Sequence, residues 1–232
     1  MIISIIVPVY NEEKTIIETL EKLNEVKFHT LEKEIIVIDD GSIDSTKKLL
    51  NENQNLFNLL INYDVNKGKG YAVKMGIKKS TGTYITFQDA DSEYDPNDLL
   101  KFEKIFLKFN ADGIIGSRFK FQEYTRSHNF VNKVGNFIIT LLFNVLYNTT
   151  FTDIYSCYFA FKKELINENT LSQNGFAQHA EILCKVVKRG NKFYETPINY
   201  NGRTKLEGKK IINYHFFNVI KEIVLRRFLW KI

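Results

Sequence analysis

The sequence predicts an α/β protein with a Rossmann-like, mainly parallel sheet flanked by helices. Short β-branched runs alternate with longer helical patterns through the first half of the chain, and such alternation is typical of strand–helix–strand crossover units. The 232 residues are enough for one well-buried domain and few for two independent cores. With three prolines and twelve glycines, the chain has no low-complexity linker. We therefore expect a single domain over residues 1–232.

The first half is organised as four strand–helix pairs and a closing strand. The strands are expected at residues 2–9, 34–39, 57–63, 84–89 and 112–117. The helices between them are expected at residues 12–25, 45–53, 68–79 and 96–108. The second half is less regular, with helices at 131–147 and 177–189, strands at 156–161 and 192–200, and a terminal helix. The change near residue 118 indicates two halves of one domain, 1–117 and 118–212, followed by an amphipathic basic helix over 213–232.

The composition, 44% apolar and 25% charged, is ordinary for a globular protein and argues against disorder. The net charge of +5 suits phosphorylated ligands or an anionic membrane as well as nucleic acid. Cys157 and Cys184 have neither metal-ligand spacing nor the density of a disulfide scaffold, which suits a reducing compartment. The apolar start, 1–9, is expected to be a strand and not a signal peptide. The most apolar run, 137–143, is shorter than the roughly 20 residues that span a bilayer, so no transmembrane helix is expected.

Acidic side chains follow the fourth predicted strand. In an open α/β sheet, ligands bind beyond the carboxyl ends of the strands. Asp89 and Asp91 stand one residue apart at such an end, with Glu93 close behind, and such carboxylates can hold a hard divalent cation that faces a diphosphate. The alternative is an acidic turn in which Asp95 caps the helix that begins at Pro96.

Two further strand ends carry polar groups. Asp39, Asp40, Gly41 and Ser42 follow the second strand, where they form a turn before a helix or accept hydrogen bonds from a base and ribose hydroxyls. The run 66–70 resembles a phosphate-binding glycine-rich turn, but it fits neither the dinucleotide nor the P-loop pattern.

In this combination and order, the motifs resemble family 2 glycosyltransferases of the GT-A fold. The segments that carry the resemblance are Pro-Val-Tyr-Asn-Glu at 8–12, Asp-Asp-Gly-Ser-Ile-Asp-Ser-Thr at 39–46, Asn-Lys-Gly-Lys-Gly at 66–70 and Asp-Ala-Asp at 89–91. Downstream, the segments 116–119, 152–158, 197–198 and 202–210 are similar to the polyprenyl- or dolichyl-phosphate mannose and glucose synthase branch. The resemblance covers about residues 2–212.

The resemblance implies an inverting transfer of a hexose from a nucleotide-sugar, of the GDP-mannose or UDP-glucose type, to a polyprenyl phosphate. The donor half is then 1–117 and the acceptor half 118–212. The implied donor-binding residues are Pro8, Tyr10, Glu12, Asp39, Asp40, Gly41, Lys69 and Asp89. The implied ligands of Mg²⁺ or Mn²⁺ are Asp89, Asp91 and Glu93. The residues implied to serve phosphate groups in catalysis are Arg118, Arg126, Arg203 and Lys205. Glu93 stands where that branch often has an amide, and Phe159–Lys162 replaces a more basic segment.

The remaining candidate residues have two interpretations each. His128 and His179 are lone histidines, which are more often surface or capping residues than catalysts. Glu181 lies within an apolar helical run, either as a buried functional group or as the partner of a nearby cation. A phosphate acceptor is already anionic near pH 7, because its second pKa is about 6, so it needs no general base. We therefore expect replacements of the arginines to cost more activity than replacements of Asp153 or Glu181.

Two apolar helices raise the question of a membrane. Between 134 and 147 the clearly polar side chains are Asn136, Thr140 and Asn144, which form a narrow stripe on a wide apolar surface. The ending, 226–232, is both basic and aromatic, as in segments that lie on anionic lipid. The helices either pack together in the core or contact lipid, and we expect a peripheral protein on the cytoplasmic face of a membrane.

Three rival functions remain open from the sequence. The nearest keeps the fold and the donor but transfers the sugar to a hydroxyl of a glycolipid or polysaccharide. A non-catalytic nucleotide-sugar-binding protein is disfavoured, because both acids of the 89–91 motif are present. A nucleic-acid-binding module would interleave aromatic and basic residues on one surface, a pattern that we do not find, so we expect no nucleic-acid partner.

Overall fold

The computed structural model describes residues 1–120, 130–203 and 215–228. A seven-stranded sheet forms its centre, and the α/β fold that the sequence predicts is confirmed. The strands are β1 Ile2–Val9, β2 Glu32–Asp39, β3 Leu59–Asn62, β4 Tyr84–Phe87, β5 Gly113–Ser117, β6 Phe159–Lys162 and β7 Phe193–Pro197. The helices are α1 Ile16–Glu25, α2 Thr46–Glu52, α3 Lys69–Lys79, α4 Leu99–Phe109, α5 Phe130–Tyr147, α6 Gln178–Arg189 and α7 His215–Phe228.

The strand order explains where a ligand can bind. The order is β3-β2-β1-β4-β6-β5-β7, and every pairing is parallel except the two that β6 makes with β4 and β5. The chain first proceeds from β1 outward to β3 and then returns to place β4 on the other side of β1. This reversal opens a crevice beyond the carboxyl ends of β1 and β4.

Helices cover both faces of the sheet and create two apolar clusters. One contains Ile6, Ile38 and Phe159 with residues of α3, α5, α6 and α7. The other contains Ile5 and Val37 with residues of α1, α2 and α4. The sheet is therefore buried on both sides, which is why its strands read as continuous apolar runs and not as alternating ones.

Several elements begin or end at other residues than the sequence pattern predicts. Helix α1 begins at Ile16 and not at Glu12, because the Glu12 carbonyl accepts the N–H groups of Thr15 and Ile16 in a separate turn. Strand β4 ends at Phe87 and not at residue 89. The last register pair joins Ile6 of β1 to Phe87. The segment 88–91 therefore follows the end of the strand, where it borders the crevice.

A buried carboxylate fixes the entry to β2. Glu103 of α4 is 1% exposed and accepts the backbone N–H groups of His29, Thr30 and Leu31 at 3.0, 2.7 and 2.9 Å. Although burial opposes it, these donors hold the pKa of Glu103 below its usual value. The carboxylate therefore joins α4 to the loop before β2.

We expect Glu103→Gln to lower the free energy of unfolding by about 1–3 kcal/mol at pH 7, because one amide oxygen cannot satisfy three buried donors. A carboxylate with a depressed folded-state pKa stabilises the fold above its unfolded-state pKa of about 4.3 and loses that contribution as the pH falls. The difference between wild type and variant should therefore shrink below about pH 4. Urea unfolding at both pH values measures it, with the exposed Glu21→Gln as the control. An equal loss in both variants would contradict this role.

Helix α5 presents its apolar side to the outside. The polar stripe faces inward: Asn136 donates to Asp153 at 2.9 Å, Thr140 accepts the N–H of Ile154 at 3.4 Å, and Asn144 donates to the Phe151 carbonyl at 2.8 Å. The outward side consists of large apolar side chains, which we call the α5 apolar face. Its residues are Val131, Val134, Phe137, Ile138, Leu141 and Val145.

The length of α5 bears on the expectation that the chain has no transmembrane helix. The apolar run 137–143 is by itself too short to span a bilayer, but the helix that contains it has 18 residues and a mean hydropathy of 1.4. Within the described part of the chain it is the one helix that is long and apolar enough to cross a membrane. Many helices of soluble proteins have the same length and composition.

Candidate active site

A cavity of about 480 Å³ lies at the carboxyl ends of β1, β4 and β5, where the sheet order reverses. It is lined by most of the residues that the motifs single out, namely Pro8, Tyr10, Glu12, Asp40, Lys69, Asp89, Asp91, Glu93, Arg118 and Arg203. Asp39 and Gly41 are buried and are not part of the lining. Arg126, His128, Lys205 and the ending 229–232 lie outside the described residues.

The loops after β1 and β2 are locked together on one side of the cavity. Ser42 accepts the Asn11 N–H at 3.0 Å and donates its own N–H to Asp39 at 3.0 Å. The second oxygen of Asp39 is buried without a hydrogen-bond partner. An unsatisfied buried acceptor is costly, and it marks a place where a ligand N–H or O–H would be stabilised. The role in donor binding that the resemblance implies for Asp39 stays a prediction, since this residue does not line the cavity.

Asp40 organises the glycine-rich turn. Its carboxylate accepts the N–H groups of Lys67 and Gly68 at 3.0 and 2.8 Å, and burial raises its pKa despite these bonds. Gly41 has φ +76°, and a Cβ there would lie 2.7 Å from the Asn66 nitrogen. Only glycine allows the two loops to approach so closely. Asp40 and Gly41 therefore shape the turn from which Lys69 projects into the cavity.

Two cations face the acidic motif. Lys69, at the start of α3, is paired with Asp89. Arg203 contacts Asp91 at 2.9 Å and Glu93 and Glu12 at 3.3 Å each. The acidic motif, Lys69 and Arg203 belong to three different segments, and the fold brings Arg203 to a motif that precedes it by more than a hundred residues.

The electrostatic balance within this cluster is uneven. Burial, together with the negative charges of Asp89 and Glu93, raises the pKa of Asp91 to about 7. Although burial acts in the opposite direction, Lys69 lowers the pKa of Asp89. The two cations thus compensate part of the negative charge, and Asp91 remains the carboxylate that would gain most from a further positive charge.

Glu93 is held by other side chains. It accepts the hydroxyl of Tyr200 at 2.6 Å and the backbone N–H of Arg203 at 2.9 Å. A further hydrogen bond joins the Asn201 N–H to the Glu93 carbonyl at 2.9 Å. These contacts align the segment before residue 204 with the acidic motif and position Arg203. Over residues 1–120, 130–203 and 215–228, no group of three or more His, Cys, Asp or Glu side chains is arranged to hold a metal ion.

Arg118 projects into the other side of the cavity. Its guanidinium makes two hydrogen bonds to Asp153, at 2.7 and 2.9 Å, and the Arg118 N–H donates to the same carboxylate at 3.0 Å. The Asp153 side chain is fully buried and that of Arg118 is 16% exposed. Although burial opposes it, Arg118 lowers the pKa of Asp153. Asp153 therefore fixes the arginine, and its carboxylate is committed to this pair.

One wall of the cavity was not predicted. It consists of Gly175, Phe176, Gln178 and His179 at the start of α6, with Tyr155 packed beside them. The sequence shows no motif there, and only His179 stands out in it, as a lone histidine. Burial and the nearby Lys69 lower the pKa of His179 to about 4, so its ring is neutral at pH 7. Glu181 does not line the cavity; it is buried on the other side of α6, where it is paired with Lys185 at 2.9 Å.

Comparisons with known proteins agree with this geometry. The chain is 30% identical over 253 residues to dolichyl-phosphate beta-glucosyltransferase of Dictyostelium discoideum, which covers 99% of this chain and 76% of that protein. It is 28% identical over 236 residues to dolichol-phosphate mannosyltransferase of Pyrococcus furiosus, which covers 95% of this chain and 64% of that protein. The chain thus spans somewhat less than two thirds of the mannosyltransferase. These names confirm the branch that the motifs predict.

The fold has solved counterparts. Glucosyl-3-phosphoglycerate synthase from Mycobacterium tuberculosis, solved with Mn²⁺, uridine diphosphate and phosphoglyceric acid, superimposes with a TM-score of 0.72 at 18% identity, over 97% of this chain and 78% of that one. This likeness shows a shared GT-A fold.

The family model of glycosyl transferase family 2 matches residues 4–170, which include the loops after β1, β2 and β4 and the pair of Arg118 with Asp153. The chain therefore belongs to glycosyl transferase family 2, and the protein is a glycosyltransferase.

Proposed function

We propose that this glycosyltransferase moves a hexose from a nucleotide-sugar, of the GDP-mannose or UDP-glucose type, to a polyprenyl phosphate, with inversion at the anomeric carbon. The observation that carries the proposal is a single cavity that joins a carboxylate pair at the end of β4 to Arg118 and Arg203. A donor diphosphate and an acceptor phosphate are both anionic, so a site that brings them together needs cationic side chains such as these arginines. The two relatives named above act on dolichyl or dolichol phosphate by name.

We assign the side of the cavity next to β1 and β2 to the nucleoside of the donor. Pro8, Tyr10 and Asp40 line it, and the residue before Asp40, Asp39, has a buried oxygen without a hydrogen-bond partner. Asp40 presents the glycine-rich turn, and Lys69 stands where the diphosphate would pass towards Asp89. The Asp39 oxygen can accept a hydrogen bond from the nucleoside, and Lys69 can donate to the diphosphate.

We propose that the site also binds a divalent cation, Mg²⁺ or Mn²⁺. Asp89 and Asp91 offer hard oxygen ligands, and the raised pKa of Asp91 indicates a carboxylate that a further cation would stabilise. Glu93, the further ligand that the resemblance implies, is bonded to Tyr200 and Arg203 and does not form a three-ligand group with these two acids in the described part of the chain. The chemistry that such an ion supplies is stabilisation of the departing diphosphate.

The acceptor half rests on the state of the two acids that could act as bases. Asp153 is committed to Arg118, and Glu181 to Lys185 and Arg226. A sugar hydroxyl must lose a proton during attack, a step for which enzymes use a positioned base worth about 10²–10⁴-fold. A phosphate monoester arrives as an anion. The arrangement around Arg118 therefore suits a lipid phosphate better than a hydroxyl.

A direct test is a panel of nucleotide-sugars incubated with the protein, Mg²⁺ or Mn²⁺ and a short polyprenyl phosphate. We expect a lipid-linked sugar with one donor and an anomeric configuration, read by NMR, opposite to that of the donor. Transfer to a sugar hydroxyl while polyprenyl phosphate is ignored would favour the hydroxyl-acceptor alternative. Donor binding without any transfer or hydrolysis would leave a nucleotide-sugar-binding protein.

We further propose that the protein works on the cytoplasmic face of a membrane, where its lipid acceptor lies. The α5 apolar face supports this, since Phe137 and Val145 are 66% and 73% exposed. Contiguous exposed apolar patches of this kind mark interaction surfaces. On α7, Phe217 and Phe228 are each 70% exposed and Arg227 is exposed beside them.

We expect the full chain to sediment with anionic vesicles, and the double variant Phe137→Asp, Leu141→Asp to bind them at least about tenfold more weakly, because burial of each apolar side chain is worth about 1.5–3 kcal/mol. Raised salt should weaken binding as well. Leu107→Asp, at an exposed leucine on α4, is the control and should bind like the wild type. Equal sedimentation of the wild type with neutral and anionic vesicles, or of the double variant and the control, would count against the proposal.

A further inference from the structure

The unpredicted wall of the cavity ends in a short loop, residues 172–176, that precedes α6. Gly175 and Phe176 of this loop line the cavity together with Lys69 and Asp89. The hydroxyl of Tyr155 donates to the Phe176 carbonyl at 3.1 Å and fixes the end next to α6. What fixes the other end determines the shape of the wall.

The loop is fitted closely against the start of α3. The Asn174 carbonyl accepts the N–H groups of Gly70 and Tyr71 at 2.7 and 3.3 Å. A Cβ on Gly70 would lie 2.4 Å from the Gln173 carbonyl oxygen, and one on Gly68 would lie 2.4 Å from that of Asn174. Because Lys69 stands between these two glycines, a shift of the loop would release the turn that carries Lys69.

Glu181 anchors the loop from within α6. Its buried carboxylate accepts the N–H of Ser172 at 3.0 Å and that of Gln173 at 2.9 Å. Burial raises the pKa of Glu181, but the N–H of Gln173 and the ammonium of Lys185 outweigh this effect and hold the pKa below its usual value. Glu181 is therefore ionised. The sequence allows two interpretations of Glu181, a buried functional group or the partner of a cation, and the structure shows the second.

Helix α7 holds the same loop from the outside. Glu222, 3% exposed, accepts the side-chain amide of Gln173 at 2.8 Å. Arg226 donates to the Ser172 hydroxyl at 2.6 Å and lies 2.8 Å from Glu181. Arg226 is also paired with Glu222. Two side chains of α7 therefore form hydrogen bonds with two consecutive loop residues, and these bonds lie outside the cavity.

We infer that Glu222 and Arg226 are positioning residues for the donor site: through Gln173 and Ser172 they set loop 172–176, and through Asn174 they set the turn that presents Lys69. Neither residue lines the cavity, so neither is a catalytic residue. The inference rests on the proposed function only for the identity of the ligand that Lys69 serves. Because α7 also carries the exposed Phe217 and Phe228, contact of this helix with a surface would act on the donor site along the same path.

The first test is hydrogen exchange, which needs no substrate. In Glu222→Ala, the amides of Gly70 and Tyr71 should exchange at least about tenfold faster relative to the amides of β1 in the same variant, because local opening is reported segment by segment. Glu222→Gln keeps an oxygen that can accept the Gln173 amide but loses the charge that pairs with Arg226, so it should fall between the wild type and Glu222→Ala. Gln173→Ala removes the same bond from the loop side and should repeat the effect of Glu222→Ala, which protects the test if Glu222→Ala does not fold.

The second test is kinetic, with the donor that the panel above identifies. Glu222→Ala and Gln173→Ala should each raise KM for the donor about tenfold, which corresponds to about 1.4 kcal/mol, with kcat nearly unchanged. The double variant should cost no more than either single one, because both remove one interaction. The controls are Lys221→Ala, an exposed neighbour on α7, and Glu103→Ala, which loosens a distant loop.

The outcomes separate this inference from the proposed function. If the wild type transfers no sugar, the proposed function fails, and the exchange of Gly70 and Tyr71 still decides the inference. Unchanged exchange in both Glu222→Ala and Gln173→Ala overturns it. A fall in kcat without a change in KM, or an equal effect in Glu103→Ala, overturns it as well, because a general loss of stability would then account for the result.

Discussion

Asp91→Asn is expected to lower kcat by at least about 100-fold while the fold is retained, because loss of one preorganised electrostatic group in a site of this kind costs about 10²–10³-fold. The amide has the shape of the carboxylate but not its charge, and the charge is what Arg203 and a divalent cation would bind. The variant should unfold at a temperature equal to or above that of the wild type, since it removes the repulsion among Asp91, Asp89 and Glu93 that raises the pKa of Asp91.

The measurement is single-turnover transfer with a thermal melt of each protein. Asp95→Asn is the matched control: Asp95 accepts the Asn97 N–H at 3.0 Å as a helix cap, asparagine caps equally well, and its activity should not change. Activity of the wild type should also disappear in EDTA and return with Mg²⁺ or Mn²⁺. Full activity in EDTA would end the metal proposal, and a fully active Asp91→Asn would remove this residue from the site.

The second large effect is expected at the pair of Arg118 and Asp153. Asp153→Ala should lower the free energy of unfolding by about 3–5 kcal/mol, because it leaves a largely buried guanidinium without its partner. It should also abolish transfer, since Arg118 would lose the groups that aim it into the cavity. This differs from the expectation drawn from sequence, in which a replacement of Asp153 costs little beside one of Arg118.

A double replacement separates stability from function at this pair. Arg118→Met with Asp153→Leu fills similar volumes without charges, and such exchanges are often neutral or stabilising compared with a broken pair. We expect urea unfolding to show that most of the lost stability returns while transfer stays absent. If the double variant transfers sugar, Arg118 has no role in catalysis. If Asp153→Ala folds as stably as the wild type, the pair is not the anchor that its geometry indicates.

The sequence predicts the first half of this fold well because its information there is local. Each of β1, β2 and β4 is a compact apolar run followed at once by its polar loop, and the carboxyl ends of parallel strands necessarily meet at one edge. The positions of Asp89 and Asp40 at the cavity follow from this rule alone. The pairing of Asp91 with Arg203 does not, since the chain between them supplies no pattern that relates the two.

Other parts of the site depend on contacts that leave no trace in a local pattern. The loop 172–176 acquires its place from Glu181 and Glu222, which look like ordinary helix acids in the sequence. The polar stripe of α5 was visible, but only its bonds to the segment 151–154 reveal that it faces inward. Amphipathicity gives two faces, and the partner decides which of them is the buried one.

The antiparallel strand β6 has a consequence for the order in which the chain is made. It lies between β4 and β5, and β5 has both of its neighbours, β6 and β7, later in the chain. Until residues 159–162 have left the ribosome, the nascent sheet offers an unpaired edge at β4, the kind of edge on which other strands assemble. The growing chain thus passes through an aggregation-prone interval of about seventy residues between the end of β4 and the start of β6. A cell that makes this protein has to keep that edge apart from other chains until synthesis itself closes it.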